Sequence, residues 1–214
     1  MEKTIAQDVA SYLLQINAIK LSPQNPFTWA SGIKSPIYCD NRLILSFPKV
    51  RTKIKHALQS ACSQHGDYDL VAGVATSGIP FATLLSDATA EPMVYVRNKP
   101  KGHGTQKMTE GKFEAGQKVL VIEDLISTGG SCLRAVANLR ADGLEVVGVL
   151  AIFSYGFDEA ASNFAEHNCA YATLSSFPVL LEEAVKSNYI KAADLETINN
   201  WRVNPKLWHN SPVS

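Results

Sequence analysis

Five short and almost uninterrupted apolar runs, Leu70–Val74, Met93–Val96, Val119–Ile122, Val146–Ile152 and Ala170–Leu174, recur through the later part of the chain. A strand that is apolar at successive positions must be covered on both faces. Helical stretches separate these runs, at about Pro80–Asp87, Gly130–Asp142 and Asp158–His167. Strands that alternate with helices are joined by crossovers, which makes neighbours parallel. The expected fold is α/β, a central parallel sheet of about five strands with helices on both faces.

The chain ahead of these runs reads differently. Ile5, Val9, Tyr12, Leu13 and Ile16 repeat at helical spacing, with Thr4 placed to cap the helix. Leu21 to Phe47 is rich in Pro, Ser and Asn and reads as loops and short strands. Ser46 and Pro48 then mark the start of an amphipathic helix through Val50, Ile54, Ala57, Leu58 and Ala61. Two further helices are expected between Leu180 and Trp201. At 214 residues and 46% apolar, the chain suits one domain. Its parts would be an N-terminal helix and hood (about 1–47), an α/β core (about 48–175) and C-terminal helices (about 176–214).

Several classes are disfavoured. Twenty basic residues balance twenty acidic ones, against nucleic-acid binding through bulk charge. The four cysteines (Cys39, Cys62, Cys132, Cys169) contain no C-x-x-C pair, so free thiols in a reducing compartment are expected. The five histidines form no H-x-x-x-H pair, against a zinc enzyme. The N-terminus has no continuous apolar stretch of the signal-peptide kind, and no run approaches the ~18 apolar residues of a membrane span. A soluble cytoplasmic protein is expected, without membrane or nucleic-acid partners.

The densest chemistry lies in Val119-Leu120-Val121-Ile122-Glu123-Asp124-Leu125-Ile126-Ser127-Thr128-Gly129-Gly130-Ser131. A buried strand ends on two adjacent acids, and a turn of small residues then enters a helix. Ligands of open α/β sheets bind at the carboxyl ends of the strands. A Ser/Thr/Gly turn at a helix start offers N–H groups and hydroxyls to a phosphate. Paired carboxylates suit vicinal sugar hydroxyls instead, so the segment describes a sugar-phosphate site. It matches neither G-x-x-x-x-G-K-[ST] nor G-x-G-x-x-G. Val71 to Pro80 repeats the strand, small-residue turn and helix, with Thr76, Ser77 and Gly78 in the turn. The polar segment Asn98–Gln117 holds four glycines and Lys99, Lys101, His103, Lys107 and Lys112. It reads either as a disordered surface loop or as a cationic lid over an anionic substrate.

Together these segments resemble the type I phosphoribosyltransferases, whose substrate is phosphoribosyl pyrophosphate (PRPP). The resemblance implies that Glu123 and Asp124 hold the ribose hydroxyls. Ser127, Thr128, Gly129, Gly130 and Ser131 would bind the 5-phosphate, Leu125 and Ile126 would belong to the same PRPP-binding segment, and Thr76, Ser77 and Gly78 would form the pyrophosphate loop. Arg97 to Gly104 is similar to the catalytic loop of the orotate branch, so Arg97, Lys101 and His103 would contact pyrophosphate. Lys101, His103 and Asp124 are then the expected catalytic residues. Phe27 to Tyr38 resembles that branch's hood, which places Tyr38 and Cys39 against the orotate ring, beside Ser127, with Lys34 in reach of its carboxylate.

The implied activity is Mg²⁺-dependent transfer of ribose 5-phosphate from PRPP to orotate, for UMP synthesis. The metal would be held mainly by PRPP and water. A homodimer with shared sites is implied as well. Some positions depart from the pattern of other members: Ala30 stands for a Lys, Asn98 for another, and Ser154-Tyr155-Gly156 lacks an Arg found there in some. The rival readings are a transferase for another nucleobase and a PRPP-sensing regulator.

Overall fold

The computed structural model describes residues 3–29, 31–99, 107–205 and 207–208. The N-terminal helix α1 (Ile5–Gln15) opens on a capping box in which the Thr4 side chain accepts the Gln7 N–H and the Gln7 side chain accepts the Thr4 N–H. The expected irregular region holds two small antiparallel ribbons. One pairs β1 (Ile19–Leu21) with β4 (Ile37–Cys39), and the other pairs β2 (Phe27–Thr28) with β3 (Lys34–Ser35). Ser46 ends a 3₁₀ turn rather than capping α2 (Pro48–Cys62), which begins after Phe47 with Pro48 in its first turn and no side-chain cap. The fixed φ of proline already suits a first helical turn.

The core elements follow in order: β5 (Leu70–Val74), α3 (Gly78–Thr89), β6 (Met93–Val96), β7 (Thr109–Glu110), β8 (Lys118–Ile126), α4 (Gly130–Ala141), β9 (Glu145–Ser154), α5 (Asp158–Glu166) and β10 (Tyr171–Ser176). Helices α6 (Phe177–Lys186) and α7 (Leu195–Val203) close the fold. The sheet has six strands rather than about five, in the order β10-β9-β8-β5-β6-β7. The addition is β7, a two-residue antiparallel edge strand from within the polar segment. The other five strands are parallel.

Alternation along the strands feeds two cores. Val71, Leu120, Ile122, Leu150 and Ile152 face α1, α2, α3, α6 and α7, while Leu70, Ala72, Val119, Val121, Val149 and Ala151 face α4 and α5. Burial on both sides explains why these strands read as continuous apolar runs. The N-terminal and C-terminal elements meet on the first face. Glu183 of α6 accepts from Lys3 Nζ at 2.7 Å, Ser11 Oγ at 3.0 Å and Lys186 Nζ at 3.0 Å. The Lys3 bond is the chief cause holding its carboxyl down at about 2.

Strand order reverses between β5 and β8. The chain runs outward from β5 to β6 in one direction and from β8 to β9 and β10 in the other. Loops that leave the carboxyl ends of strands flanking such a switch point diverge and leave a crevice. Here they are residues 75–77, after β5, and 127–129, after β8.

Candidate active site

The crevice is made deeper by unequal strand lengths. Pairing of β8 with β5 ends at Gly73↔Ile122, whereas pairing with β9 continues to Ile126↔Ser154. Glu123 and Asp124 therefore lie within the strand, on a stretch that β5 no longer covers. The two acids are not equivalent. Glu123 is 5% exposed, and its Oε1 accepts the backbone N–H of Asp124 at 3.0 Å. Asp124 is half-buried. Burial, reinforced by the charge of Asp124, pushes Glu123 up to about 9. Burial raises Asp124 as well. Both acids thus favour their protonated forms more than free carboxyls do.

Two glycines permit the close packing behind this pair. A side chain on Gly78 would strike the carbonyl oxygen of Ile122, so α3 starts directly against β8. Gly129, at φ +82°, sits where a Cβ would come within 2.7 Å of the Phe164 ring. It caps α4 without any side-chain hydrogen bond, leaving the first N–H groups of the helix available. Asn163 pins the turn from α5 by donating to the Thr128 carbonyl at 2.9 Å. Thr76 is exposed and Ser77 half-buried at the start of α3, where Ser77 makes no capping bond.

The hood is tied to this strand by Asn41, whose Nδ2 donates to the Asp124 carbonyl at 2.7 Å. Trp29 is held by an indole N–H bond to the Ile37 carbonyl at 3.1 Å. A cavity of about 280 Å³ lies between hood and core, lined by Trp29, Tyr38, Cys39, Leu125, Ser127 and Tyr155. It adjoins a larger one of about 540 Å³ that shares Trp29 and Ser127 and extends to Thr128, Gly156 and Arg202. Tyr38, Cys39 and Ser127 thus share one wall. Lys34 is exposed on the hood ribbon, its ammonium donating to Thr28 Oγ1 at 2.8 Å, and lies outside the described lining of both cavities.

Leu125 borders the smaller cavity, while Ile126 is buried beneath the turn. Ser131 shares a small cleft of about 100 Å³ with Arg97 and Asn98. Arg97 directly follows β6 and pairs with Glu110 at 3.4 Å. Its backbone N–H donates to the Met108 carbonyl at 2.9 Å. Lys101, His103, Gly104 and Ala30 lie outside the described residues.

Trp29, Tyr155, Phe157 and Arg202 line these cavities without having been singled out as site residues. Trp29 lay inside the quoted hood segment and could have been named. Arg202 belongs to no motif and enters only through the packing of the C-terminal helix. Among the described residues no three His, Cys, Asp or Glu side chains are grouped for a metal. The donor set is the adjacent acids alone, which fits an ion that keeps its waters and substrate oxygens, as Mg²⁺ does.

Comparison with known proteins gives a consistent picture. Residues 43–179 match the family model described as phosphoribosyl transferase domain. A protein of Listeria innocua named orotate phosphoribosyltransferase is 50% identical over 206 residues, spanning 96% of this chain and 99% of its own. The crystal structure of orotate phosphoribosyltransferase from Aeropyrum pernix superposes with a TM-score of 0.74 at 28% identity, covering 85% of this chain and 99% of that one. The Mycobacterium tuberculosis enzyme of that name, in complex with PRPP, aligns with a TM-score of 0.64 at 25% identity, covering 83% and 99%.

Proposed function

Because the chain belongs to the phosphoribosyl transferase family, we infer that it transfers ribose 5-phosphate from PRPP to orotate. The products are orotidine 5′-phosphate and pyrophosphate, a step of pyrimidine synthesis. The observation that carries this reading is that Asp124 lies within β8 directly ahead of the 127–131 segment, and that a hood cavity lined by Tyr38, Leu125 and Ser127 adjoins this stretch.

In the reaction a ring nitrogen of orotate bonds to C1 of the ribose as the C1–O bond to pyrophosphate breaks. The departing pyrophosphate carries away the bonding electron pair and takes up the proton that the ring nitrogen releases. Asp124, the more exposed acid, accepts hydrogen bonds from the ribose hydroxyls, while Glu123 orients it through the Asp124 N–H. The open N–H groups of the 129–131 turn and the Ser and Thr hydroxyls grip the 5-phosphate. Thr76, Ser77 and Gly78 line the pyrophosphate side, where Arg97, Lys101 and His103 supply positive charge as pyrophosphate leaves. Tyr38 and Cys39 lie against the orotate ring. A closing loop excludes water, which would otherwise hydrolyse the sugar. Asp124 is the residue beside which a Mg²⁺ ion brought in with PRPP would sit, and that ion would supply charge neutralisation for the pyrophosphate.

We further propose a homodimer in the cytoplasm. Four free cysteines accord with a reducing compartment. Among the described residues no helix is long and apolar enough to cross a membrane.

The direct test follows orotate absorbance when the purified protein meets orotate, PRPP and Mg²⁺, with uracil and hypoxanthine alongside. Consumption of orotate alone, stopped by EDTA, is expected. Turnover of another base instead would overturn the specificity.

A further inference from the structure

We propose that Arg202, on the C-terminal helix, is the cation that binds the exocyclic carboxylate of the base and so sets the preference for orotate over uncharged pyrimidines. This rests on the function proposed above and adds a specificity-determining residue from outside its motifs.

The larger cavity is walled by the hood at Trp29, floored by Ser127 and Thr128, and closed by the β9–α5 turn and the end of α7. Arg202 is the only cation among its described lining residues. Asp158 and Glu159, both exposed, also border it. Those carboxylates repel an anion, so an anionic base needs a positive group to be held at all.

Two contacts of its own and the packing of its neighbour position Arg202. Its Nη1 donates to the Gly156 carbonyl at 3.3 Å, and its guanidinium carbon lies 5.9 Å from the centre of the Phe177 ring. Gly156 itself, at φ +66°, leaves room: a Cβ there would stand 3.4 Å from Nη1. The preceding residue, Trp201, is fully buried and packs edge-on against Trp29 and Tyr155 with ring centres 5.5 and 5.8 Å away. This packing anchors the helix end against both the hood and the core. A guanidinium has five N–H donors in a planar fork suited to a carboxylate. Among the described residues only one of them is engaged, by Gly156. The rest are free to face the cavity, which Ser127 also lines.

The test compares wild type, Arg202→Gln and Arg202→Lys for the KM of orotate, the KM of PRPP, kcat and Tm. The Gln variant is expected to raise the orotate KM about 10- to 100-fold, the cost of a lost charge-assisted bond. The PRPP KM should move less than about twofold. Lys should recover part of the orotate affinity by restoring charge without the fork. An orotate KM within about twofold of wild type in the Gln variant would overturn the assignment, with the function above intact. Equal losses in Gln and Lys, spread over both substrates and Tm, would overturn it too, in favour of a purely structural Arg202. Wild type that ignores orotate but turns over uracil would instead overturn the function on which the assignment rests.

Discussion

Gly78 lies so tightly under Ile122 that a single methyl group would overlap the Ile122 carbonyl oxygen and approach Glu123 Cα to 3.3 Å. The obstacle is backbone at the centre of a sheet, which has little freedom to yield. Gly78→Ala should therefore push α3 off β8. A loss of about 1–3 kcal/mol in urea denaturation is expected, with a raised PRPP KM because the 75–77 loop moves with the helix. Wild-type stability in this variant would show that the two elements are less closely packed than described.

Asp124→Asn keeps the shape of the side chain but removes the acceptor charge from the sugar side of the crevice. kcat/KM for PRPP should fall by about 10²- to 10³-fold, the scale of losing one well-placed polar group. The Tm should hold or rise, since the burial cost of the Asp124 charge is relieved. An unchanged dependence on PRPP concentration would remove Asp124 from the ribose role.

Burial that raises Glu123 also makes stability depend on pH. The folded state holds a proton that the unfolded chain releases, so stability falls as pH rises from about 4.5 toward about 9. Glu123→Gln, which cannot ionise, should escape this decline. Its Tm should exceed that of wild type by roughly 3 °C or more at pH 8, in the absence of PRPP, and the gap should narrow toward pH 5. Parallel Tm curves for the two proteins would contradict the buried-proton description.

Lys101 rests on the sequence alone. Lys101→Ala should lower kcat by at least about tenfold, through lost stabilisation of the leaving pyrophosphate, with no change in Tm. Full activity in that variant would take the loop out of the chemistry.

Much of the fold was legible because burial on both faces prints an unbroken apolar run, and the five long strands stand where those runs lie. The runs understate strand length, however. β8 carries on through Glu123 and Asp124 because β9 still pairs with it, and no apolar pattern announces paired acids inside a strand. β7 escaped notice for the same reason: Thr109 and Glu110 owe their strand geometry to pairing with Tyr95 and Val96. The turns at 75–77 and 127–129 were readable because small residues before a helix have a local meaning. Arg202 was not, since its place at the cavity depends on α7 packing back against the hood through Trp201 and Trp29, a long-range contact without local signature.

The aromatic cluster of Trp29, Tyr155 and Trp201 has a practical corollary. Trp29 lines both cavities, and its ring centre lies 5.5 Å from that of the fully buried Trp201 behind it. A flat, ultraviolet-absorbing base entering there would drain their excited state. The protein therefore carries a built-in optical gauge of occupancy, one that reports the filling of its own pocket in a cuvette before any bond is made or broken.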